Sequence, residues 1–377
     1  MKKIHQPSWI GDEVEIGEGT RIQAFAFIPN GVTIGKDVFI GPHVCFTNDP
    51  NLICKGKDYW KKTLVEKGAK IGANSSILAG ITIGENATIG MGSVVLKDVP
   101  ANEVWGGNPA KFLKRKGKWA IIGLGFISGR HIKSIYEIGD ELILTCDNDP
   151  SKGATFLDWR EMMKDERWKE ITHIAVCAPN YLHFEMCKAM EDKIVLCEKP
   201  LALSSGDVKK LNAFTVLQLR HHPDVKWLKF RAPSLNIRSG ELVVKVKRDP
   251  SYWSGWKGDE EKSGGILFNL GIHYFDLLIY LFGEDYQIIR SVYSPKKAQG
   301  AIMFGKTLIE YHLEIMDNDK DQDRKLVFDG LNISLSKQDN LSFEDLHRLV
   351  YEDLKRGKGV TVKDALPSIE LVEKLVL

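Results

Sequence analysis

An aliphatic or aromatic side chain recurs at every sixth position near the start of the chain: Ile10, Ile16, Ile22, Ile28, Ile34, Ile40 and Phe46. A helix repeats every 3.6 residues and a simple strand every two, so neither element accounts for this period. Glycine follows many of these positions, as at Gly11, Gly17, Gly35 and Gly41, and sixteen of the 34 glycines precede residue 118. One inward apolar residue and one small corner residue per hexad build a parallel β-helix, with three short strands in each coil of about eighteen residues. After a break the pattern returns in a new phase at Val65, Ile71, Ile77, Ile83, Ile89 and Val95. Residues 47–64 carry no hexad and are expected to loop out of the stack, and such excursions from a rigid scaffold often carry function.

The whole chain has 377 residues, 43% hydrophobic and 27% charged, which suits two or three packed domains. Lysine plus arginine (52) nearly cancels aspartate plus glutamate (50), so no overall field exists to hold a nucleic acid. The six cysteines, at 45, 54, 146, 177, 187 and 197, form no Cys-x-x-Cys pair. That spacing predicts reduced thiols in a cytoplasmic protein and no structural zinc site. No run reaches the ~20 apolar residues of a membrane span, so no membrane partner is expected.

At Lys118 the hexads give way, without a flexible linker, to WAIIGLGFISGRH: a strand, a glycine turn and a helix start. Gly123-x-Gly125-x-x-Ser128 approximates a dinucleotide fingerprint, with Phe126 and Ile127 inside the turn and Ser128 in place of the third glycine. The next strand, ELILTCD, ends at Asp147, where an acid can bind a ribose 2′-hydroxyl and favours NAD over NADP. Asn148 extends that edge, although Asp147-Asn148-Asp149-Pro150 also reads as an ordinary turn. Two further apolar strands, THIAVCAPN and KIVLCEKP, suit a buried parallel sheet whose carboxyl ends face a ligand. The fold class is therefore multidomain: a β-helix over 1–117, a Rossmann α/β domain over 118–222, and an α+β open-sheet domain over 223–377, whose terminal helices can pack back on the Rossmann part.

The strings GPHVCFTNDP, TLVEKGAKIGANSSILAGITIGENATIGMGSVVLKDVP and GGNPAKFLKR resemble left-handed β-helix acyltransferases, specifically the N-acetyltransferases of 3-amino nucleotide sugars. The resemblance covers residues 1–116 and implies attack of an amine on the thioester of acetyl-CoA through a tetrahedral oxyanion. It places Asn48, where O-acetylating relatives have a histidine, as the residue orienting the amine or the intermediate, with Asp49 a second candidate as proton acceptor. Asn-Asp-Pro is equally ordinary turn chemistry. Lys97, Lys111, Lys114 and Arg115 are the candidates for holding acetyl-CoA, or they form a solvated basic face. His5 and His43 are the only histidines of this region, too few for a three-histidine zinc centre.

The strings CAPNYLH, CEKPLAL and SGGILFNLGIHYFDLLIYLFG resemble the glucose-fructose oxidoreductase and inositol dehydrogenase superfamily. VLQLRHHP and SYWSGWKGDEEKSGG are similar, more specifically, to UDP-N-acetylglucosaminuronate 3-dehydrogenases. The resemblance implies Lys199 beside the nicotinamide, with Glu198 before it at the cofactor, and His273 at the reacting hydroxyl. It also puts Pro179, Asn180 and His183 at the nicotinamide ribose. Asn269, His273 and Asp276 have helical spacing for one face, so Asp276 can orient the imidazole. Arg220, His222, Lys257 and Asn269 are candidate donors to an acidic UDP-sugar, arginine being suited to a bidentate clamp. Several segments, among them those around LNAFTV and RAPSLNIRSG, are shorter than is usual in that family.

Together the two resemblances imply one route: NAD-dependent oxidation of a UDP-sugar uronate at carbon 3, transamination by a separate PLP enzyme, and acetylation of the new amine. They also imply a homo-oligomer, trimer or hexamer. Two alternatives stay open: a different 3-amino sugar, for example dTDP-linked, and an oxidoreductase half that only binds nucleotide sugar.

Overall fold

The computed structural model describes residues 2–51, 56–317, 322–335 and 343–376. It forms two compact units, Met1–Lys116 and Gly117–Leu377.

The first unit is the expected parallel β-helix, with most of its strands only two residues long and its sheets running along the stack. Ile4, Ile22 and Ile40 stack in register at intervals of eighteen, whereas Ile40 pairs with Ile71, thirty-one residues on. The chain leaves the stack after Cys45–Phe46 and rejoins it at Thr63–Val65, so the excursion adds thirteen residues to one coil. The hexad side chains Ile22, Ile28, Ile34, Ile40, Phe46, Val65, Ile71, Ile77, Ile83, Ile89 and Val95 are buried, each removing apolar surface worth roughly 1.5–3 kcal/mol. Ile10 and Ile16 are only half-buried because the first coil lacks a neighbour on one side. Glycine at the corners has a steric cause: a Cβ on Gly72 would lie 2.5 Å from the Met91 backbone nitrogen of the next coil.

The second unit begins with a five-stranded parallel sheet of β1 (Lys118–Ile122), β2 (Glu141–Cys146), β3 (His173–Val176), β4 (Ile194–Cys197) and β5 (Phe214–Thr215), in the order β2-β1-β3-β4-β5. Alternation along β1 divides the core: Trp119 and Ile121 join one apolar cluster, Ala120 and Ile122 the other. The first cluster is covered by α1 (Ser128–Glu137) and, from far along the chain, by α5 (Phe343–Lys355) through Val350, Tyr351 and Leu354. Between these segments come α2 (His183–Ala189), α3 (Pro223–Arg231) and the almost wholly buried α4 (Ile272–Phe282). A second sheet holds β6 (Ser239–Lys247), β7 (Tyr286–Ser294), β8 (Lys297–Phe304), β9 (Thr307–Met316), β10 (Asp323–Phe328) and β11 (Leu331–Ser334), in the order β7-β8-β9-β6-β10-β11. The sequence reads GAIMFGKTLIEYHLEI as one strand; Gly305, at φ +54°, instead turns it into the β8–β9 hairpin. Helix α6 (Val362–Val376) closes the chain against α4. The helical stretch Glu260–Phe282 is long and apolar enough to cross a membrane, and 72% of its apolar window is buried within the protein, as in a core helix.

Ile71→Ala in the middle of the solenoid leaves a cavity between covered coils and is expected to cost about 2–5 kcal/mol. Ile16→Ala at the open end costs less. Urea or thermal melts of the two variants test the ordering, which equal losses would contradict.

Candidate functional site

The order β2-β1-β3 places a topological switch point beside β1, and the ends of β1, β3 and β4 deliver the candidate residues to that edge. Gly123, at φ +91°, makes the turn after β1, and a Cβ there would lie 2.6 Å from the Cys177 carbonyl oxygen. Gly125 has open space where its side chain would be, so a ligand can approach the backbone. The Ser128 hydroxyl donates to the Gly125 carbonyl at 2.7 Å, closing the turn that a third glycine would otherwise shape. Helix α1 starts without a side-chain cap at Ile127 and without an acid in its first turn, so its amino-terminal N–H groups and dipole favour an anion. These features fit a pyrophosphate. Asp147 accepts from the Leu124 backbone N–H at 2.6 Å and from that of Asp149 at 2.8 Å, tying the turn to the end of β2. Each carboxylate oxygen keeps a lone pair for a ribose hydroxyl. Asn148 beside it is exposed, as is Phe126, 88% accessible with the Arg130 guanidinium 5.7 Å above its ring.

Lys199 and His273 lie within electrostatic reach of each other, the ammonium being among the charges that act on the imidazole. The Lys199 ammonium donates to the Asn269 carbonyl oxygen at 2.6 Å. That carbonyl belongs to a π-helical turn, Leu267–Gly271, entering α4; such turns break the regular ladder and recur at functional sites. The Asn269 side chain donates to the Tyr252 hydroxyl at 2.6 Å, and the Arg248 guanidinium and Lys257 ammonium lie 5.6 Å from the Tyr252 ring centre. Burial lowers the Lys199 pKa to about 8, with Glu198 opposing the fall and Arg248 and Lys257 adding to it. Burial, reinforced by Lys199, holds His273 well below the usual imidazole value, so the ring is neutral near pH 7. Its Nδ1 is enclosed and makes no hydrogen bond among the described residues. Arg248 and Tyr252 are site residues that the sequence did not single out, although Tyr252 lies inside the SYWSGWKGD string.

Four expectations are corrected by the geometry. Asp276 does not orient His273: it is buried and receives Arg220 Nε at 2.8 Å and Nη2 at 2.5 Å, with the Ser368 hydroxyl at 3.2 Å. Arg220 is committed through Nε and Nη2 to Asp276 and to the Asp364 carbonyl, the geometry of a core ion pair rather than of a clamp facing a ligand. His183 is fully buried with one ring nitrogen 2.7 Å from the Pro200 carbonyl oxygen and the other 2.8 Å from that of Ala178, so it joins two loop ends and cannot reach a ribose. Asn180 is likewise inside, its amide donating to the Ser263 carbonyl at 2.8 Å. Pro179 is half-buried at the end of the loop after β3. His222 is buried at the start of α3, 3.9 Å from Asp224. Glu198 is also buried, within a histidine cluster.

In the solenoid unit, Asn48 is half-buried where the excursion leaves the stack, and its carbonyl accepts from the Lys61 N–H at 2.9 Å as the chain returns. Asp49 accepts from the Asn51 N–H at 2.9 Å, so one carboxylate oxygen serves the turn. Lys57 pairs with Glu13 at 2.9 Å, linking the excursion to an earlier coil. Lys97 is exposed, its ammonium 5.0 Å from the Trp105 ring centre. Lys111 is exposed at the start of the antiparallel strand Lys111–Arg115, while the side chains of Lys114 and Arg115 lie outside the described residues.

Comparison with known proteins matches both units. Residues 13–48 and 62–97 match the family described as bacterial transferase hexapeptide (six repeats). Residues 117–216 match the oxidoreductase family, NAD-binding Rossmann fold, and residues 239–312 match its C-terminal alpha/beta domain. The crystal structure of the WlbA (WbpB) dehydrogenase of Thermus thermophilus with NAD and alpha-ketoglutarate is 27% identical, covers 69% of this chain and 94% of its own, and superposes with a TM-score of 0.62. The same dehydrogenase with NAD and UDP-GlcNAcA matches at 26% identity over 69% of this chain and 95% of its own, TM-score 0.62. The galactoside O-acetyltransferase of Lactococcus lactis is 41% identical over 91 residues, 21% of this chain and 44% of that enzyme. The bifunctional protein GlmU of Carboxydothermus hydrogenoformans is 36% identical over 114 residues, 24% of this chain and 25% of that protein. The chain thus spans less than half the length of these curated relatives. Its amino-terminal unit carries hexapeptide repeats with acetyltransferase relatives, and its carboxyl-terminal unit carries both domains of the oxidoreductase family.

Arg220→Met leaves the Asp276 carboxylate buried without its partner and is expected to destabilise the protein by about 3–5 kcal/mol. Arg220→Met with Asp276→Leu recovers most of that loss. A substrate clamp would behave otherwise, raising KM with an unchanged melting temperature, so paired thermal melts and kinetics decide between the two roles.

Proposed function

We propose that this is a bifunctional nucleotide-sugar enzyme. Its carboxyl-terminal unit oxidises UDP-N-acetylglucosaminuronate at carbon 3 with NAD, and its amino-terminal unit transfers acetyl from acetyl-CoA to the matching 3-amino sugar, towards a UDP-2,3-diacetamido-2,3-dideoxyglucuronate for surface polysaccharide. The observation that carries the first activity is the convergence of Lys199 and His273 at the edge where the glycine turn of β1 leaves room for a dinucleotide. The likeness to a dehydrogenase crystallised with NAD and UDP-GlcNAcA supports the choice of substrate.

The neutral His273 imidazole has a lone pair to accept the proton of the carbon 3 hydroxyl. The Lys199 ammonium, held in place by the Asn269 carbonyl, faces the oxygen on which negative charge develops and stabilises it. When bound, NAD accepts the hydride that leaves the same carbon. Gly123, Gly125 and the start of α1 would hold its pyrophosphate and Asp147 its adenosine ribose. Lys257, with Arg248 beside it, supplies positive charge for an acidic sugar. In the solenoid, Asn48 supplies an amide to orient the incoming amine or the oxyanion, and an unprotonated amine needs little further base. Lys97, Lys111 and Lys114 are the cations proposed for acetyl-CoA. Assembly as a trimer or hexamer, and transamination by a separate PLP enzyme, complete the reading.

The test incubates the protein with NAD and UDP-N-acetylglucosaminuronate, with and without 2-oxoglutarate, and follows NADH absorbance and product mass. Loss of two hydrogens is expected. Lys199→Met should lower that oxidation by at least 10²-fold, the scale of losing a positioned charge at a developing alkoxide. It should leave acetyl transfer to the 3-amino sugar intact, whereas Asn48→Ala should do the reverse. Loss of both activities in either variant would contradict two independent sites.

A further inference from the structure

A buried polar cluster lies behind Lys199 and is not used by the chemistry above. Glu198 precedes the lysine at the end of β4, and its Oε2 accepts from the Lys199 backbone N–H at 3.3 Å. Its Oε1 lies 2.9 Å from His131 Nε2, on α1, and 3.6 Å from His347 Nε2, on α5. His131 Nδ1 lies 2.7 Å from the Tyr351 hydroxyl, one turn beyond His347 on α5. His131, His347 and Tyr351 are fully buried.

Proton accounting fixes the roles. The Glu198 carboxylate only accepts, so His131 Nε2–H donates to it; a neutral His131 ring then accepts at Nδ1, and the Tyr351 O–H donates. Burial lowers the His131 pKa and raises that of Tyr351 well above the ordinary value, which agrees with a neutral ring and a protonated phenol. For Glu198, burial pushes upward, yet the contacts from His131 and His347 hold the carboxyl well below its usual value. The same three groups His131, Glu198 and His347 could in principle hold a metal, since their ligand atoms lie within 4.8 Å of one another. The 2.9 Å donor–acceptor contact and the second hydrogen bond to Tyr351 suit a shared-proton chain instead.

We propose that His131, His347 and Tyr351 are positioning residues for Lys199, acting through the Glu198 carboxylate to keep the catalytic ammonium charged and aimed at the substrate oxygen. The inference rests on the role of Lys199 proposed above. The charged and titratable groups around the lysine are Glu198, Arg248, Lys257, His183 and His273; Glu198 is the anion among them and is also near Cys177 and Cys197. Removing its negative charge leaves Lys199 among cations. The ammonium, already lowered to about 8, then loses its proton at still lower pH.

The sign for turnover follows. An ammonium needed for the alkoxide gives an activity that falls as pH rises through about 8 in the wild type. The limb should move down by a pH unit or more in Glu198→Gln and His131→Leu, and less in Tyr351→Phe. His131→Gln, whose amide nitrogen can still donate to the carboxylate, should restore it. Lys199 itself is titrated without turnover by competitive acetic anhydride labelling against pH, read by mass spectrometry of the full chain, with NAD affinity as the check of folding. A labelling midpoint that shifts in His131→Leu and Tyr351→Phe and returns in His131→Gln supports the proposal. An unmoved midpoint in folded variants overturns it, as does stoichiometric zinc in the wild type that these substitutions remove. Absence of oxidation by the wild type would count against the substrate reading and leave the labelling result to judge this one.

Discussion

An ionised carboxylate in a protein interior costs several kcal/mol unless donors surround it, and Glu198 sets that condition on the whole oxidoreductase unit. It stands at the end of β4, one residue before the lysine that the chemistry needs, so it cannot be moved to the surface without moving Lys199. Its donors come from α1 and from α5, more than two hundred residues apart in sequence. The requirement explains why a helix after the second sheet returns to cover the first. Along α5, His347, Tyr351 and Lys355 recur every four residues and reach, respectively, Glu198, His131 and Asp140, a polar stripe on an otherwise apolar seam. The same helix contributes Val350 and Leu354 to the core around Trp119. Apolar burial supplies the adhesion, and the polar contacts fix the register at which α5 lies down.

Much of this architecture is legible in the residues because its signals are local. The hexads report inward-facing positions one by one, and the break after Phe46 appears in the structure as a thirteen-residue excursion because a solenoid records any insertion as a loss of phase. The Gly123 turn and Asp147 are similarly local, since a strand, a tight turn and a following strand end place them together within a short stretch. The strands and helices of the second half follow ordinary alternation. The β8–β9 turn is Gly305 with Lys306, too short a polar interruption to stand out from an alternating run.

The site was less legible because its defining contacts are long-range or come from the main chain. Arg220 looks like an anion clamp in isolation, and only the approach of α4 and α6 reveals that Asp276 and Asp364 occupy it. His183 and Asn180 stand in the expected loops with their polar atoms turned to the protein's own carbonyls. The counting of Asn269, His273 and Asp276 assumes a regular helix, but the π-helical turn over Leu267–Gly271 alters the phase and offers a backbone carbonyl to Lys199. No side-chain pattern encodes that acceptor. The histidines of the buried cluster carry no local signal for the opposite reason: each is an ordinary polar residue on an amphipathic helix until the two helices meet at one carboxylate.

On the proposed reading, the chemistry explains why the two units need share no site. Oxidation at carbon 3 yields a ketone, which has no nucleophilic nitrogen to acetylate. Acetyl transfer needs an amine at that carbon, so a reaction that exchanges the carbonyl oxygen for an amino group must intervene. The product of the first unit is therefore not the substrate of the second, and each site must bind its sugar from solution or from a third enzyme. What both must read is the part of the molecule that stays constant, the nucleotide and the acidic sugar ring. On that reading the cations for this task are Arg248 and Lys257, which flank Tyr252 in one unit, and Lys97, over Trp105, in the other. Selection then acts on the reacting carbon alone: a neutral imidazole and an ammonium where a hydroxyl is oxidised, a neutral amide where an amine is acylated.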